Sequence, residues 1–213
     1  RIYYLVGKDN MQRKLFVPGK NFSTQAYFGW QGKNDALLGI RMGYKDAADN
    51  LVDKALEEGC CNNIRVLDTY IFPICFLYRH SIEASIKGIY LRFCGKILKG
   101  DHDLVTLWDN LYKEVILMFD DPEFLNHVKE YKKVFIKYSL NDIDFEELRN
   151  MFIEFNNLND KNADVFRYML KRGGELYFTD NKFIDYPNLK ESMDYIYNVL
   201  DYLHNITDEY LSS

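Results

Sequence analysis

Proline is scarce in this chain, with 4 residues among 213, and tryptophan scarcer still, with 2. So few prolines leave long stretches in which a helix meets no obstacle. No run of about 18 uninterrupted apolar residues occurs, so no membrane partner is expected. A signal-peptide pattern is missing too, which points to the cytoplasm. The spacings CxxC, CxxH and HExxH are absent, so no metal site is expected. The four cysteines are Cys60, Cys61, Cys75 and Cys94. Adjacent Cys60 and Cys61 suit neither a disulfide nor zinc, and all four are expected as buried free thiols in a reducing compartment. Neither GxGxxG nor GxxxxGK[ST] appears, so no glycine-rich phosphate loop is present, and no cofactor is implied. A basic excess is lacking as well: the net charge is −5 and the pI about 5.4. Duplex DNA is therefore not an expected partner, although a few cations in a confined cleft would suffice for RNA.

What is present is ordinary for a globular protein: 47% hydrophobic and 28% charged residues. The aromatic share of 16% comes mainly from 17 Tyr and 15 Phe. A chain of this length buries enough surface to fold without a disulfide or metal staple. Residues 1–213 therefore read as one domain.

Residues 1–43 read as irregular with short strands. Ile2-Tyr3-Tyr4-Leu5-Val6 favours β structure, Pro18-Gly19-Lys20-Asn21 is turn chemistry, and Gly29, Gly32, Gly39 and Gly43 punctuate the rest. Tyr27, Phe28 and Trp30 read as a cap on one end of the core, the other reading being an exposed platform for bases. From Tyr44 the periodicity becomes helical. Ala47, Ala48, Leu51, Val52, Ala55 and Leu56 share one face of a helix ending at Gly59. A longer helix runs from about 64 to 93, with Pro73 as a kink or break. Asp101 or Asp103 caps a third, whose stripe is Leu104, Leu107, Trp108, Leu111, Val115 and Met118. A fourth starts at Asp121-Pro122 and carries Phe124, Leu125, Val128, Tyr131 and Phe135. A fifth opens at 142–144, and a last one bears Leu189, Met193, Ile196, Leu200 and Leu203. Between the last two, Gly173-Gly174 followed by 175–178 and, after the turn 179–182, by 183–186 predicts a small hairpin. The fold class is thus mainly α: an up-and-down helical bundle over 44–213, with minor β segments near the N-terminus and around 175–186.

One helix carries unusual chemistry. Arg79, His80, Glu83 and Lys87 fall within roughly 100° of one face, yet the residues between them are mostly apolar. Charge on a buried helix has to be neutralised locally, because isolated buried charge is very costly. Arg79, Glu83 and Lys87 form an i, i+4, i+8 ladder of ion pairs, and His102 can return to it across the loop after Gly95. Two readings follow. In one, the group is a polar pin locking helices in register, with His102 as a cap. In the other it is a site: Arg79 binds an anion, His80 transfers a proton and Glu83 orients it. Lys87, His102 and the outlying Arg167 would then bind the ligand.

The order Arg79-His80-x-x-Glu83-x-x-x-Lys87, a Gly-containing loop, then His102-Asp103-Leu104-x-x-Leu107 resembles the core of HEPN-type helical domains (higher eukaryotes and prokaryotes nucleotide-binding). The preceding 70–78 segment is similar to one uncharacterised bacterial branch of that group, and Val165-Phe166-Arg167-Tyr168 fits the same order. The resemblance covers about residues 47–120, with an echo at 164–204. It implies a helical bundle, often a homodimer, that serves bacterial defence or toxin–antitoxin systems by binding RNA, a nucleotide or a protein partner. Many members are metal-independent RNases with an Arg and a His in the order R-x(4–6)-H. This chain departs from that order: Arg79 and His80 are adjacent, Arg92 and His102 are too far apart, and His127 and His204 have no Arg at the needed distance. An RNase using Arg79 and His80 is therefore the alternative to a binding module.

Overall fold

A computed structural model describes residues 15–127, 133, 139–158 and 160–211. It divides into two units, Arg1–Gln31 and Gly32–Ser213. The strand expected at 2–6 lies outside the described residues, as do Val128, Tyr131 and Phe135 of the fourth helix.

In the first unit, residues 15–31 hold one short 3-10 turn, Phe22–Thr24, capped by the Asn21 side chain. None of them is buried. Tyr27, Phe28 and Trp30 are 80%, 76% and 52% exposed, so they do not cap a core as expected. The segment has no helical or strand periodicity that would gather its aromatic rings on one side.

The second unit is mainly helical. Helix α1 is Leu38–Cys60, α2 is Ile64–Cys94 and α3 is Leu104–Glu114. A 3-10 turn, Ile116–Asp120, leads to α4, Pro122–His127. Then come α5, Phe145–Asn157, the single turn α6, Val165–Tyr168, and α7, Tyr186–Leu211.

Helix α1 begins six residues before the change of periodicity at Tyr44. Gly39 and Gly43 read as punctuation in the sequence, yet an isolated glycine costs a helix only about 1 kcal/mol. The buried stripe runs Arg41, Lys45, Ala48, Val52, Ala55, and its first two positions are cations. Helix α2 is the centre of the bundle and packs on α1, α3, α6 and α7. Every residue from Ser81 to Ile86 is buried, which is why this stretch shows apolar residues on all sides. Pro73 neither ends nor splits it; it sits on an exposed flank, where the lost backbone hydrogen bond faces water. Gly95 closes α2 in the left-handed conformation, φ 65°. Asp103 caps α3 and Asp144 caps α5, each accepting two backbone N–H groups. Trp108, 1% exposed, packs against Phe145 and Phe152 and joins α3 to α5.

The expected hairpin at 175–186 does not form. One isolated bridge joins Leu170 and Leu176, and no strand occurs among the described residues. A different turn forms instead, around Gly173-Gly174, with Lys171 N–H donating to the Glu175 carbonyl at 2.8 Å, and the expected strands 175–178 and 183–186 do not pair with each other. Beyond Tyr177 nothing pairs, and a two-stranded ribbon without a third strand has little stability of its own. Cys75 is buried and Cys94 half-buried as free thiols, but Cys60 and Cys61 are exposed at the end of α1, contrary to expectation. No helix among the described residues is long and apolar enough to cross a membrane.

Candidate functional site

Residues 79, 83 and 87 stand one helical turn apart on α2, so their side chains stack along a single stripe. The loop after α2 folds back over that stripe. Gly100, at φ 137°, lets the loop lie so close to α3 that a Cβ there would come 3.1 Å from Leu107 Cδ2. This approach brings Asp101 and His102 onto α2. From the other side comes Asp160, in the turn between α5 and α6.

Arg79 is 1% exposed. Its Nη1 donates to Glu83 Oε2 at 3.1 Å, and its Nη2 donates to the carbonyls of His102 (2.5 Å) and Asp160 (3.0 Å). Its Nε lies 2.8 Å from Asp160 Oδ2, an ion pair by distance but too bent for a hydrogen bond. Glu83 Oε1 accepts from Lys87 Nζ at 2.7 Å and meets His102 Nδ1 at 2.9 Å, which requires the tautomer protonated on Nδ1. Lys87 also donates to the Asp101 carbonyl at 2.6 Å. Asp160 Oδ1 accepts the Val165 N–H at 3.0 Å and so holds the start of α6. Two cations face two carboxylates, so the cluster is formally neutral.

Burial pushes the Glu83 carboxyl up, but hydrogen bonds and charge from Lys87 and His102 outweigh it and hold Glu83 below the usual carboxylate range. Burial lifts the Asp160 carboxyl above its ordinary value despite the opposing charge of Arg79.

The structure thus brings together Arg79, Glu83, Lys87 and His102. It does not bring His80 or Arg167 into their hydrogen-bond network. A step of one residue along α2 turns His80 toward α1, where its ring stacks on Phe76 and tilts against Tyr44, centroids 5.5 and 5.2 Å apart. Burial is the main cause of its lowered pKa, so the imidazole is neutral near pH 7, and its buried Nδ1 has no hydrogen-bond partner. Arg167 folds back on its own turn, donating to the Ala163 carbonyl and to Asp164, both at 2.6 Å.

Two features were missed in the sequence. Asp160 is the counter-charge to Arg79; 81 residues separate them, and a polar turn gave no periodic signal. The second is a ladder between α1 and α7. Arg41 pairs with Asp201 (2.8 Å), Lys45 with Asp194 (2.5 Å) and Asp53 with Lys190 (2.5 Å), an antiparallel register. Lys45 also reaches Asp49, whose other oxygen accepts from Tyr78 Oη. The seven-residue spacing of Asp194 and Asp201 was the available clue.

Outside the Arg79 network lies a half-enclosed groove of about 1090 Å³ between α2, α5, α6, the 169–185 loop and α7. Its wall includes Phe72, Cys75, Phe155, Phe166, Met193 and Ile196. Cys75 stands one turn before Arg79, and burial raises its thiol to about 12, so it acts as an apolar group rather than a nucleophile. No group of three or more His, Cys, Asp or Glu suited to a metal occurs among the described residues. No family model, curated protein or solved structure matches this chain.

Proposed function

We propose that this chain is a HEPN-like helical module of the cytoplasm that binds a protein partner in the groove and performs no turnover. The Arg79 network is the frame of that groove. By tying the turn between α5 and α6 to α2, it fixes three of the groove's walls. The observation that carries this reading is the burial of Arg79. A guanidinium that receives a phosphate needs N–H groups directed outward, and those of Arg79 are directed at carboxylates and carbonyls of its own chain. The groove, by contrast, is open and lined by aromatic and aliphatic side chains, as binding sites are. The spacing of Arg79, Glu83, Lys87 and His102 supports the HEPN-like assignment, and with it a place in bacterial defence or toxin–antitoxin systems.

Two measurements test it. Purified protein incubated with total RNA is expected to leave the RNA intact, as are Arg79→Ala and His80→Ala. Nile red, a neutral apolar dye, is expected to brighten with the wild type and not with Phe72→Ser. The nuclease reading draws on the unpartnered Nδ1 of His80 and needs a homodimer that places an Arg of the second copy beside it. Cleavage by the wild type that disappears in His80→Ala would replace the binding-only reading.

A further inference from the structure

We propose that the occupant of the groove is a cationic amphipathic helix of a partner protein, an inference that rests on the binding reading above. Three observations select this chemistry. The first is size: at about 1090 Å³ the groove stands at the upper end of the range for ligand sites, roughly 300–1,000 Å³, with room for several side chains at once.

The second is charge. Asp68, Glu154 and Asp180 line the groove against a single cation, Lys182. An adjoining recess shares Met151, Asn188 and Ser192 with it and adds Glu147 and Glu191. Glu147 and Glu154 are two helical turns apart on α5 and so face the same way. None of these five acids has an ion-pair partner among the described residues, whereas the exposed Asp53 and Asp109 and the half-buried Asp194, Asp201 and Asp208 are all paired. An apolar trough with an unneutralised acidic rim is complementary to a strip of leucine-like residues flanked by Lys or Arg. The same rim repels the phosphates of nucleic acid and of anionic lipid.

The third is backbone satisfaction. A peptide that docks in extended form needs a sheet edge to accept its N–H and C=O groups, and no strand exists among the described residues. A ligand chain must therefore bring its own backbone hydrogen bonds, which a helix does. At the lip, Phe183 is 95% exposed and Ile184 39%, an apolar surface that a docked helix would cover.

The test uses two labelled helical peptides of identical spacing, one of leucine and lysine, the other of leucine and glutamate, read by fluorescence anisotropy. The lysine peptide is expected to bind the wild type, more weakly as salt rises, and the glutamate peptide not to bind. Glu147→Lys/Glu154→Lys is expected to weaken the lysine peptide about tenfold, as loss of two rim attractions and gain of two repulsions implies, and to admit the glutamate peptide. Asp46→Lys/Asp120→Lys changes the net charge equally at exposed sites off the groove and is expected to leave affinity within about twofold. Equal binding of both peptides by the wild type, or equal weakening by both double variants, overturns the proposal. If Nile red still binds in that case, only the occupant is wrong; if Nile red fails too, the binding reading falls with it.

Discussion

Replacing Arg79 by methionine tests whether the buried network holds the bundle together. Methionine fills the space of the aliphatic stem without charge, so little cavity is created. What disappears is the ion pair to Glu83 at 3.1 Å, the one to Asp160 at 2.8 Å, and the donor shared by the carbonyls of His102 and Asp160. Glu83 keeps Lys87 and His102. Asp160, 1% exposed, keeps the Val165 amide alone. Removing one side of a buried pair costs about 3–5 kcal/mol, set against a total of about 5–15 kcal/mol for a domain. At about 2–4 °C per kcal/mol for a chain of this length, the midpoint falls by about 6–20 °C. The sign of the pH dependence is also fixed. Asp160 is already raised by burial, and losing Arg79 raises it further. A carboxyl raised above its unfolded value favours the folded state when protonated, and that contribution is lost as pH climbs through the folded value. The deficit of Arg79→Met is therefore largest at neutral pH and shrinks on acidification, and adding Asp160→Asn recovers part of it at neutral pH. Urea unfolding followed by far-UV circular dichroism measures the loss, its pH dependence and the recovery, and thermal unfolding measures the fall in midpoint. A loss below about 1 kcal/mol, the value of an exposed pair, or a deficit that grows on acidification, refutes the reasoning.

Other outcomes follow from separate parts of the molecule. Glu83, held below its ordinary value, contributes stability above about pH 4.3 that is lost as pH falls through its folded value; Glu83→Gln should lower the urea midpoint at neutral pH and flatten this acid limb. Lys45, 6% exposed, pairs with Asp49 and Asp194, whose carboxylates still reach water, so Lys45→Ala should cost about 1.5–3 kcal/mol in the same unfolding assay. Asp103→Ala removes the α3 cap and the acceptor of Asn156, for a loss of about 1–2 kcal/mol by thermal unfolding. The two tryptophans should separate by acrylamide quenching: Trp30, 52% exposed, is quenched and red-shifted, so Trp30→Phe leaves the blue, protected emission of Trp108.

The helices were legible because their stripes obey a 3.6-residue period, and α3 and α5 announced their caps with Asp103 and Asp144. The stripe of α2 was legible for a related reason: charge among apolar neighbours had to be paired within a turn or across one short loop. Position 160 was not legible, since a counter-charge arriving from a distant polar turn leaves no local pattern. Nor was the cationic start of α1. Arg41 and Lys45 occupy inward positions, so a search for apolar periodicity began the helix at Tyr44. The hairpin failed for the opposite reason: the alternation over 175–186 was read as two paired strands, but nothing among the described residues supplies the third strand that such a pair needs. His80 was assigned to the stripe within a tolerance of 100°, and that angle is enough to hand the ring to α1 instead.

The antiparallel ladder between α1 and α7 has a consequence for biogenesis. The first long helix of the bundle is sealed by one that emerges from the ribosome much later, with Asp194 and Asp201 arriving some 150 residues after Lys45 and Arg41. Until then those two cations, and the side of α2 that α7 covers, stay solvated in the nascent chain. Folding therefore completes only after synthesis of residues 186–211, and a ribosome stalled before them releases an open bundle ready for chaperones or proteases.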